Sequence, residues 1–113
     1  MIYDGRCHCG AVRFRFVAEP ITKAVRCNCS ICVRRVAVMS EPYVPLESLE
    51  GRDALQLYQW GDHDVRFWFC RHCGVHPFHD LTAQPERYRI NLGCVEGLEP
   101  FTLELRLIDG RAY

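Results

Sequence analysis

Lysine is almost missing from this chain: Lys23 stands alone beside thirteen arginines, and the 14 basic residues are matched by 14 acidic ones for a formal net charge of zero. Without an excess of positive charge there is no broad basic surface to track a phosphate backbone, so nucleic acid is disfavoured as a partner. No apolar run approaches the roughly twenty residues that cross a bilayer. The opening Met1-Ile2-Tyr3-Asp4-Gly5-Arg6 has no basic stretch leading into an apolar one, so neither a membrane partner nor a secretory leader is expected, and the expected compartment is the reducing cytoplasm. Helical periodicity longer than about two turns is also absent. What remains is a single domain over residues 1–113 with 49% hydrophobic residues, expected to be mainly β.

Short strands are written between turn signals. Ala11 to Val17 alternates apolar and basic residues, placing Val12, Phe14 and Phe16 on one face. Further strand-like stretches run from Leu55 to Trp60, Val65 to Phe69, Arg87 to Leu92 and Phe101 to Ile108. In the last of these Leu103, Leu105 and Leu107 alternate with polar neighbours. Glu19-Pro20, Glu41-Pro42, Pro45, Gly61-Asp62, Gln84-Pro85 and Gly97 punctuate them. Ser48-Leu49-Glu50 is expected to close a helical turn after Pro45. An exposed strand edge in such a domain would allow a homodimer.

Eight cysteines stand out in a chain of this length. They fall as Cys7-x-Cys9, Cys27-x-Cys29-x2-Cys32, Cys70-x2-Cys73 and a solitary Cys94. Thiols one or two residues apart converge readily on one metal, whereas a disulfide across so short a span is strained. Disulfides would have to pair residues between clusters, with on the order of a hundred pairings to choose from, in a compartment that keeps thiols reduced. Cys70-Arg71-His72-Cys73-Gly74 has the form of a zinc knuckle, and Cys7-His8-Cys9-Gly10 ends in the same way. Together the two pairs make a closed four-thiolate zinc site that staples the N-terminus to the middle of the chain. Cys27, Cys29 and Cys32 offer three thiolates. Their fourth position either stays open, as in a catalytic zinc site, or is filled by Cys94 or a histidine.

Around these clusters sit residues whose type alone admits more than one role. Arg34 and Arg35 follow the three-cysteine loop and could bind a substrate carboxylate or end the loop in solvent. His76 and His79 flank Pro77-Phe78, where packing, exposure or a proton-shuttling role are all open. Phe67-Trp68-Phe69 reads as core, with Phe69 buried beside the metal. Cys94 reads as a buried thiol or a further participant at the second metal.

CHCGAVRF at residues 7–14, CNCSIC at 27–32 and FCRHCGVHPF at 69–78 together resemble the signature blocks of the glutathione-dependent formaldehyde-activating enzyme family, which includes centromere protein V. The resemblance implies a small zinc-stapled β-tent domain of short antiparallel strands holding two Zn2+ ions. It assigns Cys7, Cys9, Cys70 and Cys73 to a structural zinc and Cys27, Cys29 and Cys32 to a catalytic one. It further implies carbon–sulfur lyase chemistry, joining formaldehyde and glutathione as S-hydroxymethylglutathione and reversing the step. Relatives often carry a histidine where this chain has Phe67, and the named enzymes are longer. The reading from another class is a zinc-stapled module that binds protein or nucleic acid without turnover, and fold likeness does not separate the two.

Overall fold

The computed structural model describes residues 1–112. Its elements run β1 (Ile2–Arg6), β2 (Arg13–Val17), β3 (Lys23–Cys27), α1 (Ser30–Arg35), β4 (Met39–Ser40), β5 (Ser48–Glu50), β6 (Leu55–Tyr58), β7 (Val65–Cys70), β8 (Phe78–Leu81), β9 (Gln84–Ile90) and β10 (Glu104–Ile108), with short 3-10 turns between some of them. The protein is mainly β, as expected. Three small sheets result, in the orders β1-β2-β5, β10-β3-β4 and β6-β7-β8-β9. All strand pairs are antiparallel except β10 with β3, which run in parallel with Leu105 opposite Ala24.

Period-two alternation governs the first hairpin. Tyr3 pairs with Phe16 and Gly5 with Phe14, and the alternating residues Tyr3, Phe14 and Phe16 turn inward. They meet Phe78, Tyr88 and Ile90 from the four-stranded sheet and Leu92 from the 3-10 turn after it to form the main core. Phe14 meets Phe78 edge-on at 5.4 Å between ring centroids, a favourable aromatic geometry. A smaller cluster, built on Cys7, Val12, Ala54 and Cys70, lies beside it.

The four-stranded sheet carries a buried carboxylate. Asp80 on β8 is fully enclosed and is satisfied by the fork of Arg66, by the Trp68 indole N–H at 3.1 Å and by the Glu86 amide at 2.9 Å. Complete pairing of this kind is what makes a buried charge tolerable.

Several local expectations change. Ser48-Leu49-Glu50 is a strand, not a helical turn, because Leu49 and its neighbours pair with Arg13, Phe14 and Arg15 of β2. Gln84-Pro85 is not a turn but the start of β9, and the tight turn is Thr82-Ala83 between Leu81 and Gln84. Phe101 lies in a 3-10 turn and only Glu104–Ile108 is extended. Phe69 is half-buried rather than enclosed, whereas Phe67 is buried. No helix among the described residues is long and apolar enough to cross a membrane.

Candidate metal centres and the cavity beside them

The first cysteine cluster is built by two turns that follow strand ends. Cys7 and Cys9 lie in the turn after β1, while Cys70 closes β7 and Cys73 lies in the turn beyond it. Gly10 and Gly74 leave each turn at φ of +80° and +76°, a backbone region that glycine enters without a Cβ clash. The Val12 amide points at Cys7 Sγ from 3.3 Å and the His72 amide at Cys70 Sγ from 3.4 Å. Cys9 Sγ is 3.7 Å from both Cys7 Sγ and Cys70 Sγ, and all four sulfurs lie within 4.8 Å of one another. A tetrahedron with Zn–S bonds of about 2.3 Å has sulfur–sulfur edges of about 3.8 Å, so this donor set fits a zinc ion.

Thiol electrostatics agree with that fit. A backbone hydrogen bond from Ala11 lowers the Cys9 pKa, but burial and the neighbouring thiols Cys7, Cys70 and Cys73 together push it up to about 11. Burial acts to raise Cys73 too, yet backbone hydrogen bonds from Cys9 and Val75 and the adjacent thiols outweigh it and bring Cys73 down to about 6. Sulfurs packed this closely resist ionising together unless a cation offsets their charge. His8 and His72, inside the two turns, are exposed.

The second cluster occupies one short loop. Cys27 ends β3, Cys29 caps the start of α1 and Cys32 lies in that helix. Their three sulfurs also fall within 4.8 Å of one another, a spacing able to hold a metal ion, and no fourth cysteine, histidine or carboxylate among the described residues joins the group. Burial and the Cys29 thiol raise the Cys32 pKa. The Cys29 pKa falls: burial opposes the change, and hydrogen bonds from Cys32, Cys27 and the Ile31 backbone prevail. The chain beyond β10 fastens onto this loop, because Asn28 bonds Asp109 Oδ1 at 3.0 Å and accepts from the Arg111 amide at 3.2 Å.

Cys27 and Cys32 form one wall of a small cavity, about 20 Å³ in volume, whose other walls include Arg35, Phe67, His76 and His79. The two imidazoles are only 8% and 7% exposed, and their rings lie parallel, 4° apart in plane, with centroids separated by 6.0 Å. No hydrogen bond of normal geometry reaches either ring nitrogen of His76, which has only an electrostatic contact with the Phe78 backbone, or Nδ1 of His79, whereas His79 Nε2 is 3.0 Å from the Tyr43 hydroxyl. Burial, reinforced by Arg35 and by the second histidine, drives the His76 pKa down to about 2. Burial, with Arg89 and Arg35, drives His79 down to about 3. Both rings are therefore neutral at neutral pH.

The two arginines of the helix end diverge. Arg35 lies over the Phe67 ring with its guanidinium carbon 5.0 Å from the centroid, and its Nη1 is buried without a partner. Arg34 is exposed and donates to the Ser30 carbonyl at 2.7 Å. Cys94 is buried in the main core on the side of the first cluster: burial, then the charges of Cys7 and Cys73, push its thiol up to about 12. It does not join the three-thiol group. Residue type alone does not decide between packing, exposure and a proton-shuttling role for His76 and His79. The usable signal was strand register, since His79 stands directly across from Phe67 on the neighbouring strand.

A curated relative, a putative glutathione-dependent formaldehyde-activating enzyme of Halomonas elongata, is 56% identical over 32 residues, which make up 28% of this chain and 20% of that protein. The match thus spans about a fifth of the relative's length. A crystal structure of a Rhodobacter sphaeroides protein superimposes with a TM-score of 0.76 at 34% identity, covering 91% of this chain and 99% of that one. The model of one family matches residues 2–106, nearly the whole of the sequence, and the chain belongs to that family, the glutathione-dependent formaldehyde-activating enzymes.

Proposed function

We propose that the protein is a zinc-dependent carbon–sulfur lyase acting on a thiol–aldehyde adduct of the S-hydroxymethylglutathione type. Cys7, Cys9, Cys70 and Cys73 hold a structural zinc, and Cys27, Cys29 and Cys32 hold a second one. The observation that carries this reading is the asymmetry of the two clusters: four sulfurs close one site, while the other has three, and two of its cysteines, Cys27 and Cys32, line a cavity. A zinc ion held by three thiolates has a fourth position that favours a substrate thiol as its thiolate.

In the forward direction a carbon–sulfur bond forms between the thiol sulfur and the aldehyde carbon. The carbonyl π pair moves onto oxygen, and the proton given up by the thiol ends on that oxygen. The reverse step returns thiol and aldehyde. Arg34, exposed at the end of α1, supplies a cationic fork for a carboxylate of glutathione, whereas Arg35, lying over Phe67 at the cavity, is not placed for that role. A reducing cytoplasm suits both the free thiols and the thiol substrate.

The test is exchange NMR on the zinc-loaded protein with glutathione and formaldehyde. Adduct formation and breakdown should exceed the uncatalysed rate by at least about tenfold, on the scale typical of even modest catalysis. No excess rate with glutathione or any other small thiol would sink the lyase reading. A second reading, a metal-stapled module without turnover, draws support from Phe67. That ring is 3% exposed against a cavity of about 20 Å³, which leaves no room there for the body of glutathione. The same assay separates the two.

A further inference from the structure

Four buried polar atoms without a hydrogen bond of normal geometry belong to side chains that line the cavity beside Cys27 and Cys32: both ring nitrogens of His76, Nδ1 of His79 and Nη1 of Arg35. Each buried polar group left unpaired costs about 1–3 kcal/mol, so a cluster of them marks a place that a polar guest completes. The proposed reaction does not otherwise use the two histidines.

The chemistry of the lining defines the guest. Neutral imidazoles each offer one N–H, and the guanidinium offers an N–H with full positive charge. A hydrogen bond donated by Tyr43 to Nε2 would leave Nδ1 of His79 as the ring's donor. The pocket is therefore rich in donors and positive, which suits an oxygen that carries or gains negative charge. Its volume of about 20 Å³ is that of a single water or one small oxygen-bearing group, too small for a carboxylate arm of a peptide. Phe67 supports the arrangement from one side, with its ring centroid 6.0 Å from His76 and 5.2 Å from His79.

We infer that His76, His79 and Arg35 form an oxygen pocket for the one-carbon unit, receiving the hydroxyl oxygen of the adduct, or the aldehyde oxygen before the carbon–sulfur bond forms. This rests on the lyase reading of the three-cysteine site. Donors placed where the carbonyl π pair arrives act more strongly in a dry cavity than in water. The arrangement also supplies imidazole beside the reacting carbon from β8 and the turn before it, although position 67 on β7 carries a phenyl ring.

Zinc-loaded protein labelled with 15N at histidine and backbone amides tests the assignment by NMR, with two probes: glutathione alone, and glutathione with formaldehyde. Both probes should move the amides of residues 27–35, and only the second should move the imidazole signals of His76 and His79. Imidazoles that stay still while those amides respond to the adduct overturn the pocket and leave the lyase reading standing. If neither probe moves any signal, the lyase reading itself fails and the pocket falls with it. Independently, His76→Gln with both zinc ions retained should lower kcat at least tenfold while KM for glutathione stays within about twofold. An unchanged kcat overturns the assignment.

Discussion

At the scale of single residues, the two enclosed histidines make a claim about acid stability. Their native pKa values, about 2 for His76 and about 3 for His79, lie below the ordinary 6.5. Between those limits the unfolded chain binds protons that the native chain refuses. Their contribution is therefore fully present above pH ~6.5 and is lost progressively as the pH falls toward 3, at about 1.4 kcal/mol per pH unit for each ring. Urea unfolding of zinc-loaded protein between pH ~6.5 and ~5 should show this slope, and His79→Gln should reduce it by about one proton; an unaltered slope would mean that the ring is hydrated in the native state. Gly110 makes a second claim. A Cβ there would stand 2.5 Å from Cys27 Sγ and 2.9 Å from Cys29 Cβ, so Gly110→Ala must displace either the terminal segment or the three-cysteine loop. We expect zinc affinity at the second site to fall about tenfold, a loss typical of disturbed ligand support. Competition with a chromophoric chelator would measure it, with the first site unaffected.

Among the elements, legibility in the sequence follows the range of the interactions that decide each one. The inward face of β2 is readable because Phe14 and Phe16, with Val12 just before the strand, are buried as their alternation says. The same alternation in β10 marks a strand but not a buried face: Leu105 is 43% and Leu107 66% exposed. That strand lies at the end of its sheet, beside β3, and nothing in Glu104–Ile108 announces a parallel partner about eighty residues earlier. Three residues such as Ser48-Leu49-Glu50 are too few to show any period, and pairing with β2 decides their state. The cysteine groups were legible because their spacing is local, whereas the meeting of Phe67 with His79 depends on the register of β7 against β8. That sheet also depends on Asp80 being paired. Arg66→Ala would leave a fully enclosed carboxylate without its cation, and about 3 kcal/mol of stability should be lost in denaturant titration. Replacing Arg66 and Asp80 together by apolar residues should cost less than this single change, because no charge is then stranded.

For the molecule as a whole, the two cysteine clusters proposed as metal centres differ in what they would hold together. The first joins residues 7 and 9 to residues 70 and 73, so it closes a loop of more than half the chain, and it sits in a cluster whose other fully buried members among the described residues are Val12 and Ala54, with Leu49, Leu55 and Val75 packed against it. Little apolar burial there substitutes for the metal. A structural zinc bound with roughly 10 kcal/mol or more rivals the entire stability of a domain this size, about 5–15 kcal/mol. The second centre lies within residues 27–32, closes no long loop, and its removal leaves the main core of Phe14, Phe16, Phe78 and Ile90 untouched. Chelation should therefore proceed in two stages. The first equivalent of zinc should leave from Cys27, Cys29 and Cys32 with the β-sheet circular dichroism and the melting temperature nearly unchanged. Departure of the second should coincide with unfolding. Cys9→Ser should prevent stable folding at any zinc concentration, whereas Cys29→Ser should give a folded protein with one zinc. Unfolding on loss of the first equivalent, or a folded Cys9→Ser protein, would reverse the assignment of the two centres.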